Sequence, residues 1–134
     1  MFDLLDIGAS GLMAQRTRMD TIAANMANAN TTVDPNGDPA PYRRRFVVFA
    51  PGQPGNPGKP GVHVRSVSID PSPFRKVFEP GHPHADAEGY VQQPNIDTSI
   101  EMVNALEASR AYEANVTMME TGKAMINASL RLIA

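Results

Sequence analysis

The sequence contains no cysteine, which excludes disulfide bonds, cysteine-based zinc sites and thiol catalysis. It also lacks an apolar stretch long enough to span a bilayer, because Arg16 and Arg18 interrupt the first apolar region. The N-terminus has neither a basic segment followed by a continuous apolar core nor a clear cleavage site. We therefore expect a cytoplasmic protein, or one that is exported by a route without a cleaved signal.

Signatures of nucleic-acid binding and of enzymatic chemistry are scarce as well. The net charge of −2 and the pI of about 5.9 argue against nucleic acid as the main partner. There is no serine, histidine and aspartate order typical of hydrolases, no phosphate-binding glycine loop and no close carboxylate pair on one face. No catalytic or cofactor-binding motif thus stands out, and a length of 134 residues predicts one domain with at most one appended element.

Proline divides the chain into three parts. All twelve prolines lie between Pro35 and Pro94, and proline is excluded from helix interiors by its fixed φ and missing N–H. The partition predicts an α+β fold with three segments: an N-terminal helix at 1–32, a Pro/Gly-rich central β domain at 33–94 and a C-terminal helix at 95–134.

The last third of the chain has the pattern of one long amphipathic helix over 98–131, about 50 Å in length. Thr98 followed by Glu101 predicts a capping box at its start. Mostly apolar residues recur with alternating spacings of three and four, which is the heptad seam of a coiled coil. The seam consists of Met102, Ala105, Ser109, Tyr112, Val116, Met119, Lys123, Ile126, Leu130 and Ile133. A compact domain of this length is only about 36 Å across, so such a helix needs partners along its length.

A second seam in the first thirty residues is thinner. It consists of Leu5, Gly8, Leu12, Gln15, Met19, Ile22, Met26 and Ala29. Gly8 and Gly11 each cost about 1 kcal/mol relative to alanine in a helix, so this helix is marginal alone. Asparagines from Asn25 onward predict fraying and local caps. We expect the two seams to bury well only against each other and neighbouring copies, which leaves the termini of a lone chain poorly ordered.

The central segment predicts short strands. Residues 42–49 and 62–69 are rich in β-branched or aromatic residues, with further extended pieces at 74–78 and 90–91. Four Pro-Gly pairs between Pro51 and Gly61 predict an exposed hairpin tip. Together these features indicate one small β module.

Two polar motifs admit alternative interpretations. His82, His84 and Asp86 resemble the first ligand cluster of metallo-β-lactamase-type hydrolases, but Ala87 stands where that family has histidine. A polar surface turn is therefore favoured over a small metal-dependent hydrolase that would use the two histidines. The run of three arginines at 43–45 could contact RNA, but no second basic patch accompanies it, which favours a solvated or inter-subunit face.

Several stretches resemble the flagellar basal-body rod proteins of the rod and hook axial family. The N-terminal stretch 9–31 and the C-terminal stretches 101–103 and 108–115 carry the resemblance at both ends. Residues 41–49 and 79–95 narrow it to the short proximal-rod members. The motif residues at the two ends are Asn25, Asn28, Asn30, Arg110, Tyr112 and Asn115.

The resemblance implies a non-enzymatic structural subunit without a cofactor. This subunit assembles with copies of itself into the helical drive shaft that transmits torque across the periplasm. Its terminal helices would pair as an inner, antiparallel-type coiled coil beneath the β domain. Implied partners are the rod proteins FlgB, FlgF and FlgG, the adaptor FliE, the MS ring and, during secretion, the flagellar type III export apparatus. Candidate interface residues are Leu5, Leu12, Met19, Ile22, Met26, Met102, Tyr112, Val116, Met119, Ile126 and Leu130.

An intracellular coiled-coil adaptor is the alternative of a different class. It would dimerise through 98–133 and present the β module to another protein. Export into the medium of a strain without rods discriminates between the two hypotheses, because an adaptor stays inside the cell.

Overall fold

A computed structural model describes residues 2–133 and confirms the α+β class. Its elements are α1 (Phe2–Ala27), β1 (Arg45–Pro51), β2 (Val62–Ile69), β3 (Arg75–Phe78), β4 (Tyr90–Gln93) and α2 (Thr98–Ile133). The two predicted helices and all four extended segments are thus present. Met1 and Ala134, the outer bounds of the predicted terminal segments, lie outside the described residues.

The two helices lie antiparallel along each other. Asn25 near the end of α1 meets Glu101 near the start of α2, and Gly11 faces Asn115 further along. At the far end Gly122 faces Leu4. Because Leu4 lies opposite Gly122, about nine residues at the end of α2, some 13 Å of helix, extend past the start of α1.

The start of α2 is capped by a different residue from the one predicted. The Asp97 carboxylate accepts hydrogen bonds from the N–H groups of Ser99 and Ile100, at 2.9 and 3.3 Å. Asp97 is therefore the N-cap, and Thr98 is already helical. The predicted capping box is wrong because the Glu101 side chain turns inward to Arg44 and Asn25 instead of reaching back to the cap.

Replacing Asp97 by alanine is expected to lower the free energy of unfolding by about 1 kcal/mol, because two N–H groups lose their acceptor. Thr98→Ala should leave it nearly unchanged, although a capping box would make Thr98 the more sensitive position. Urea unfolding followed by far-UV circular dichroism measures both variants, and the reverse order of effects would restore the capping box.

The end of α1 lies at Ala27, before the predicted limit of the helical seam. The Asn28 side-chain amide donates to the carbonyl of Ala24 at 2.9 Å, and the Thr31 hydroxyl donates to Asn28. Asn28 is therefore a local cap, as predicted for asparagines in this run. Asn25, one turn earlier, has a different role that is described below.

The strands between the two helices form two separate ribbons. β1 pairs with β2 in antiparallel register, with a bulge between Val48 and Phe49, and β3 pairs with β4. Pro71 and Pro73 lie in the connection between the ribbons. Because proline donates no ladder hydrogen bond, this connection does not continue the first sheet into the second.

The tip of the β1–β2 hairpin is exposed, as the Pro-Gly pairs predicted, but its base rests on α1. Gly52 donates its N–H to the carbonyl of Gly61, which closes the tip. The Ser10 hydroxyl accepts the N–H of Val62 at 3.1 Å and donates to the carbonyl of Ile7. An isolated two-stranded ribbon is marginal in water, so this support from the helix stabilises it.

The best-buried side chains cluster where the end of α1, the start of α2 and the strand β4 meet. The largest of them are Ile96, Glu101, Val91, Asn25 and Pro94. This core is small and partly polar. Neither α1 nor α2 contains an apolar stretch of the length and hydropathy that a membrane span requires.

Candidate functional site

A buried carboxylate joins the two helices to the central domain. Glu101 has no exposed surface, and its two oxygens accept hydrogen bonds from Arg44 Nε at 2.6 Å and Asn25 Nδ2 at 3.1 Å. A buried charge of this kind is tolerated only when it is paired and hydrogen-bonded. We call Asn25, Arg44, Asp70, Asn95 and Glu101 the polar junction.

Asn25 connects α1 to the first residue of β1. Its side-chain carbonyl accepts the N–H of Arg45 at 2.9 Å, and its amide donates to the carbonyl of the same residue at 2.7 Å. The side chain therefore pairs with the backbone as a neighbouring strand would. The sequence-based interpretation of Asn25 as a local helix cap is wrong, because its side chain forms hydrogen bonds to β1 and α2.

Asp70 and Asn95 complete the polar junction from the ends of the strands. The Asn95 side chain accepts the N–H of Arg44 and donates to the carbonyl of Asp70. Hydrogen bonds from the Ser72 hydroxyl and N–H, with a smaller contribution from Arg44 at 3.4 Å, hold the pKa of Asp70 below its usual value. Asp70 is therefore ionised at neutral pH and keeps Arg44 in place from the other side.

The arginine run is thus an internal anchor and not a solvated face. Arg44 bridges Glu101 and Asp70, while the guanidinium of Arg43 lies 4.2 Å from the centre of the Phe74 ring and donates to the carbonyl of Ser72. Arg45 alone is exposed. The interpretation as a solvated face is wrong for Arg44, because the pattern gave no sign that Glu101 would be buried opposite it, and the inter-subunit alternative stays a prediction for Arg45.

Beyond the polar junction, small residues let the helices approach closely. A side chain added at Gly8 would lie 2.5 Å from Met119 Cγ, and one at Gly11 would lie 2.9 Å from Asn115 Nδ2. At Gly122 it would lie 2.9 Å from Leu4. The line of α2 that faces α1 comprises Glu101, Ala108, Asn115 and Gly122, and their seven-residue spacing is the signal in the sequence that could have revealed this contact.

The predicted seam residues divide into two groups. Those that are buried or partly buried within one chain are Leu5, Leu12, Met19, Ile22, Met26, Tyr112, Val116, Met119 and Ile126. Met102 and Leu130 are each 59% exposed. The role of the whole set in assembly remains a prediction, and the two exposed members are open to a neighbour.

The remaining motif residues lie mostly on the helices. Asn115 packs over Gly11, Tyr112 is partly buried and Arg110 is exposed on α2. Asn30 is exposed in the turn after α1. Asn25 and Asn115 thus mark the two places where α1 approaches the start and the middle of α2.

The histidine motif forms a turn. His82 Nδ1 accepts the N–H of His84 at 3.1 Å, and the Asp86 carboxylate accepts the N–H groups of Glu88 and Tyr90. Across residues 2–133, no three histidine, aspartate or glutamate side chains converge as a metal site would require. The motif therefore has the geometry of the polar surface turn that the sequence favoured.

Two protein-family models match the two ends of the chain. A family model described as "Flagella basal body rod protein" matches residues 5–33, which include most of α1. A second, "Flagellar basal body rod FlgEFG protein C-terminal", matches residues 87–132, which include β4 and nearly all of α2.

Relatives cover the whole length. The flagellar basal-body rod protein FlgC of Yersinia enterocolitica is 45% identical over 132 residues, 98% of this chain and 97% of the relative. FlgC of Salmonella typhimurium is 43% identical and FlgC of Bacillus subtilis 41%, with the same shares of each chain. The chain belongs to the FlgC family of flagellar basal-body rod proteins. Its resemblance to rod proteins is thereby confirmed, and it is a structural subunit of the flagellar basal-body rod.

The helix pair lies in the parts of the chain that the family models match. The two family models match the two segments that contain α1 and α2, and the stretch between them contains β1, β2 and β3. The contacts that join α1 to α2 therefore lie within the segments shared with other rod proteins.

Proposed function

We propose that this chain is a subunit of the proximal rod, where it assembles with copies of itself and with FlgB, FlgF and FlgG into the helical shaft that transmits torque. FliE and the MS ring are its partners at the base. The segments 1–32 and 95–134 form an antiparallel-type coiled coil in the core of the shaft, and 33–94 forms the outer β domain. The subunit has no enzymatic role.

The amount of exposed surface carries this proposal. A compact monomer of 14.5 kDa exposes about 6,900 Å². This chain exposes 8,950 Å². The excess of roughly 2,000 Å² on one chain is more than twice the roughly 800 Å² that each partner contributes to a standard interface, so the fold is suited to completion by several neighbours.

The composition of the core supports the same conclusion. The buried apolar residues are Ala14, Ile22, Ala29, Val91, Ile96 and Ala108, and half of them are alanines. The side-chain carbonyl oxygen of Gln15 on α1 is buried without a hydrogen-bond partner in the described part of the chain. A small core of this composition stabilises a lone helix pair only weakly. Assembly with neighbours would contribute the remaining stability.

The stiffness that torque transmission needs has a structural basis. The helix α2 runs for 36 residues without proline, and the polar junction fixes its first turn to α1 and β1. A repeated contact that does not close on itself builds a helical filament from such subunits. Axial load would pass along α2, and the β ribbons would lock neighbours laterally.

The proposal also implies where in the cell the chain acts and how it is exported. The rod crosses the periplasm, so the chain would leave the cytoplasm unfolded through the flagellar type III export apparatus, without a cleaved signal. The absence of cysteine prevents cross-linking on arrival in an oxidising compartment. A weakly stabilised helix pair is suited to such passage, because little stability must be overcome to unfold it.

Replacing Val116 by aspartate tests the interface. Val116 is partly buried at the edge of the helix contact, and a carboxylate there should block assembly because its desolvation is not compensated. We expect a strain that lacks its own FlgC to lose swimming with this variant. Export should persist, measured as chain released into the medium of a strain without rods.

Thr117→Asp is the matched control, since Thr117 is the adjacent residue and is exposed. It should swim like the unmodified chain. Normal swimming of the Val116 variant would refute its place in the interface, and failure of the unmodified chain to restore swimming would refute the proposed function.

A further inference from the structure

The connection between α1 and β1 contains an asparagine whose neighbour makes it chemically reactive. Asn36 is the only asparagine of the chain that is followed by glycine. Because glycine has no Cβ, the backbone nitrogen of Gly37 can reach the side-chain carbonyl carbon of Asn36 without a clash. Asparagine is among the thermally labile residues of proteins, and attack by the following backbone nitrogen is one route by which its amide is lost.

Asn36 and Gly37 lie in a turn on the surface, and both are exposed. The N–H of Gly37 donates to the carbonyl of Asp34 at 3.0 Å, and Val33 forms an isolated bridge with Pro39. Asn36 has a negative φ and Gly37 a φ of 87°, so a type I turn is followed by a glycine in the left-handed region. We call residues 33–39 the asparagine turn. Water and hydroxide from the solvent reach both residues there.

The Asp34 side chain holds the asparagine turn closed. Its Oδ1 atom accepts the N–H groups of Asn36 and Asp38, both at 2.9 Å, and the other carboxylate oxygen lies 3.5 Å from Asn36 Nδ2. The N–H of Asp34 in turn donates to the carbonyl of Asp38 at 3.0 Å. The closed turn opposes the reaction, because the Gly37 nitrogen must release its own hydrogen bond to Asp34 before it can attack.

We propose that Asn36 is a deamidation site, which the closed asparagine turn protects and which reacts when this segment is unfolded. The Gly37 nitrogen loses its proton to hydroxide and bonds to Asn36 Cγ. The bond from Cγ to Nδ2 then breaks, and Nδ2 takes up a proton from water and leaves as ammonia, which gives a cyclic succinimide. Water opens this ring at either carbonyl, to aspartate or to isoaspartate. The net reaction consumes one water, releases one ammonia and needs no oxidant or reductant.

The isoaspartate product changes the connection between the end of α1 and the polar junction. Isoaspartate adds one methylene to the backbone, which displaces the N–H of Gly37 from the carbonyl of Asp34. The same connection is braced where Ala40 and Tyr42 donate their N–H groups to the carbonyls of Thr32 and Thr31. A chain that stays unfolded accumulates the modification, and a chain that folds promptly does not. Deamidation of Asn36 therefore records the time that a chain spends unfolded.

Peptide mass spectrometry of the purified full chain tests the proposal without any rod assembly. The chain is incubated in mildly alkaline buffer, with or without guanidinium chloride, and digested with trypsin. The tryptic peptide 19–43 carries Asn36 together with Asn25, Asn28 and Asn30 as internal references, and its fragment spectrum locates each amide that has become a carboxyl group. We expect Asn36 to react first in guanidinium chloride. In buffer it should react about fivefold more slowly, the factor that corresponds to one hydrogen bond of about 1 kcal/mol.

Two variants of Asp34 separate its hydrogen bonds from its charge. Asp34→Ala removes both, whereas Asp34→Asn removes the charge and keeps an oxygen that can accept the same two N–H groups. An asparagine at position 34 adds no reactive site of its own, because the nitrogen of Pro35 carries no proton. In buffer we expect Asp34→Ala to deamidate at Asn36 about fivefold faster than the unmodified chain, which corresponds to one lost hydrogen bond, and Asp34→Asn to match the unmodified chain.

Three results would overturn the proposal: an Asn36 amide that survives in guanidinium chloride as long as that of Asn30, equal rates for Asn36 in buffer and in denaturant, or an Asp34→Ala variant that reacts no faster than Asp34→Asn. A far-UV circular dichroism spectrum like that of the unmodified chain assigns the faster rate of Asp34→Ala to the asparagine turn. Should Asp34→Ala lose that spectrum, the unmodified chain and Asp34→Asn decide, because each must react more slowly in buffer than in denaturant.

Discussion

Replacing Arg44 by alanine is expected to destabilise the chain by about 3–5 kcal/mol, because the buried carboxylate of Glu101 loses its cation. Asn25 alone would then face that charge. Urea unfolding followed by far-UV circular dichroism measures the change. Amide hydrogen exchange should show loss of protection at the end of α1 and the start of α2, where the polar junction holds both helices.

Arg65→Ala is the matched control, since Arg65 is an exposed arginine on the neighbouring strand β2. It should change stability by less than about 0.5 kcal/mol. The double variant Arg44→Met with Glu101→Leu should recover much of the loss, because apolar groups in place of a buried ion pair are often neutral. Equal stability of the two single arginine variants would show that the polar junction contributes nothing.

Replacing Gly8 by leucine is expected to force the helices apart and to lower the free energy of unfolding by about 1–3 kcal/mol, because the site has no free volume for a side chain. The new Cβ would lie 2.5 Å from Met119 Cγ and 3.0 Å from Met118 Cε. Swimming of a strain that depends on this variant should be lost as well. Urea unfolding and a swimming assay are the measurements.

Whether Gly8→Leu stabilises or destabilises the full chain shows whether helix propensity or close helix packing dominates at this position. In a peptide of residues 1–30, Gly8→Leu should increase helix content, since leucine is about 0.8 kcal/mol more favourable than glycine in a helix. The same substitution should destabilise the full chain. Gly81→Leu is the control, because no atom lies within 4 Å of a side chain added there. A full chain stabilised by Gly8→Leu would mean that the helices are not closely packed.

The elements of this fold could be predicted because their signals are local. Proline marks the limits of both helices, and an alternating spacing of three and four gives each helix an apolar side. The strand at 62–69 was predicted with the bounds that the structure shows. The separation of the strands into two ribbons was missed, since strand pairing depends on residues that are distant in the chain.

The line of closest helix contact was only half predicted. The side of α2 with Tyr112, Met119 and Ile126 does face α1, but the adjacent line is Ala108, Asn115 and Gly122 and not Ser109, Val116 and Lys123, one position further on. The heptad spacing alone selected those larger residues. Close approach of two backbones selects small ones, as Gly8 and Gly11 on α1 show from the other side.

The polar junction could not be predicted, because it joins five residues from distant parts of the sequence. The sequence pattern favoured a helix cap for Asn25 and a solvated or inter-subunit face for the arginine run. Only the folded chain places the Asn25 amide beside the backbone of Arg45 and the Arg44 guanidinium beside Glu101. The acidic residue three positions into α2 had been assigned to a capping box, which gave it a local role in place of its long-range one.

The antiparallel arrangement puts the first turn of α1 beside Gly122, late in α2, and this limits the order in which the molecule can fold. Leu4 and Gly122 are in contact although they are roughly 120 residues apart in sequence. Machinery that delivers the polypeptide with its amino end first releases α1 long before it releases α2. The earliest segment to emerge can therefore meet only β1 and β2 at first, and the helix pair closes completely only when the residues around Gly122 arrive.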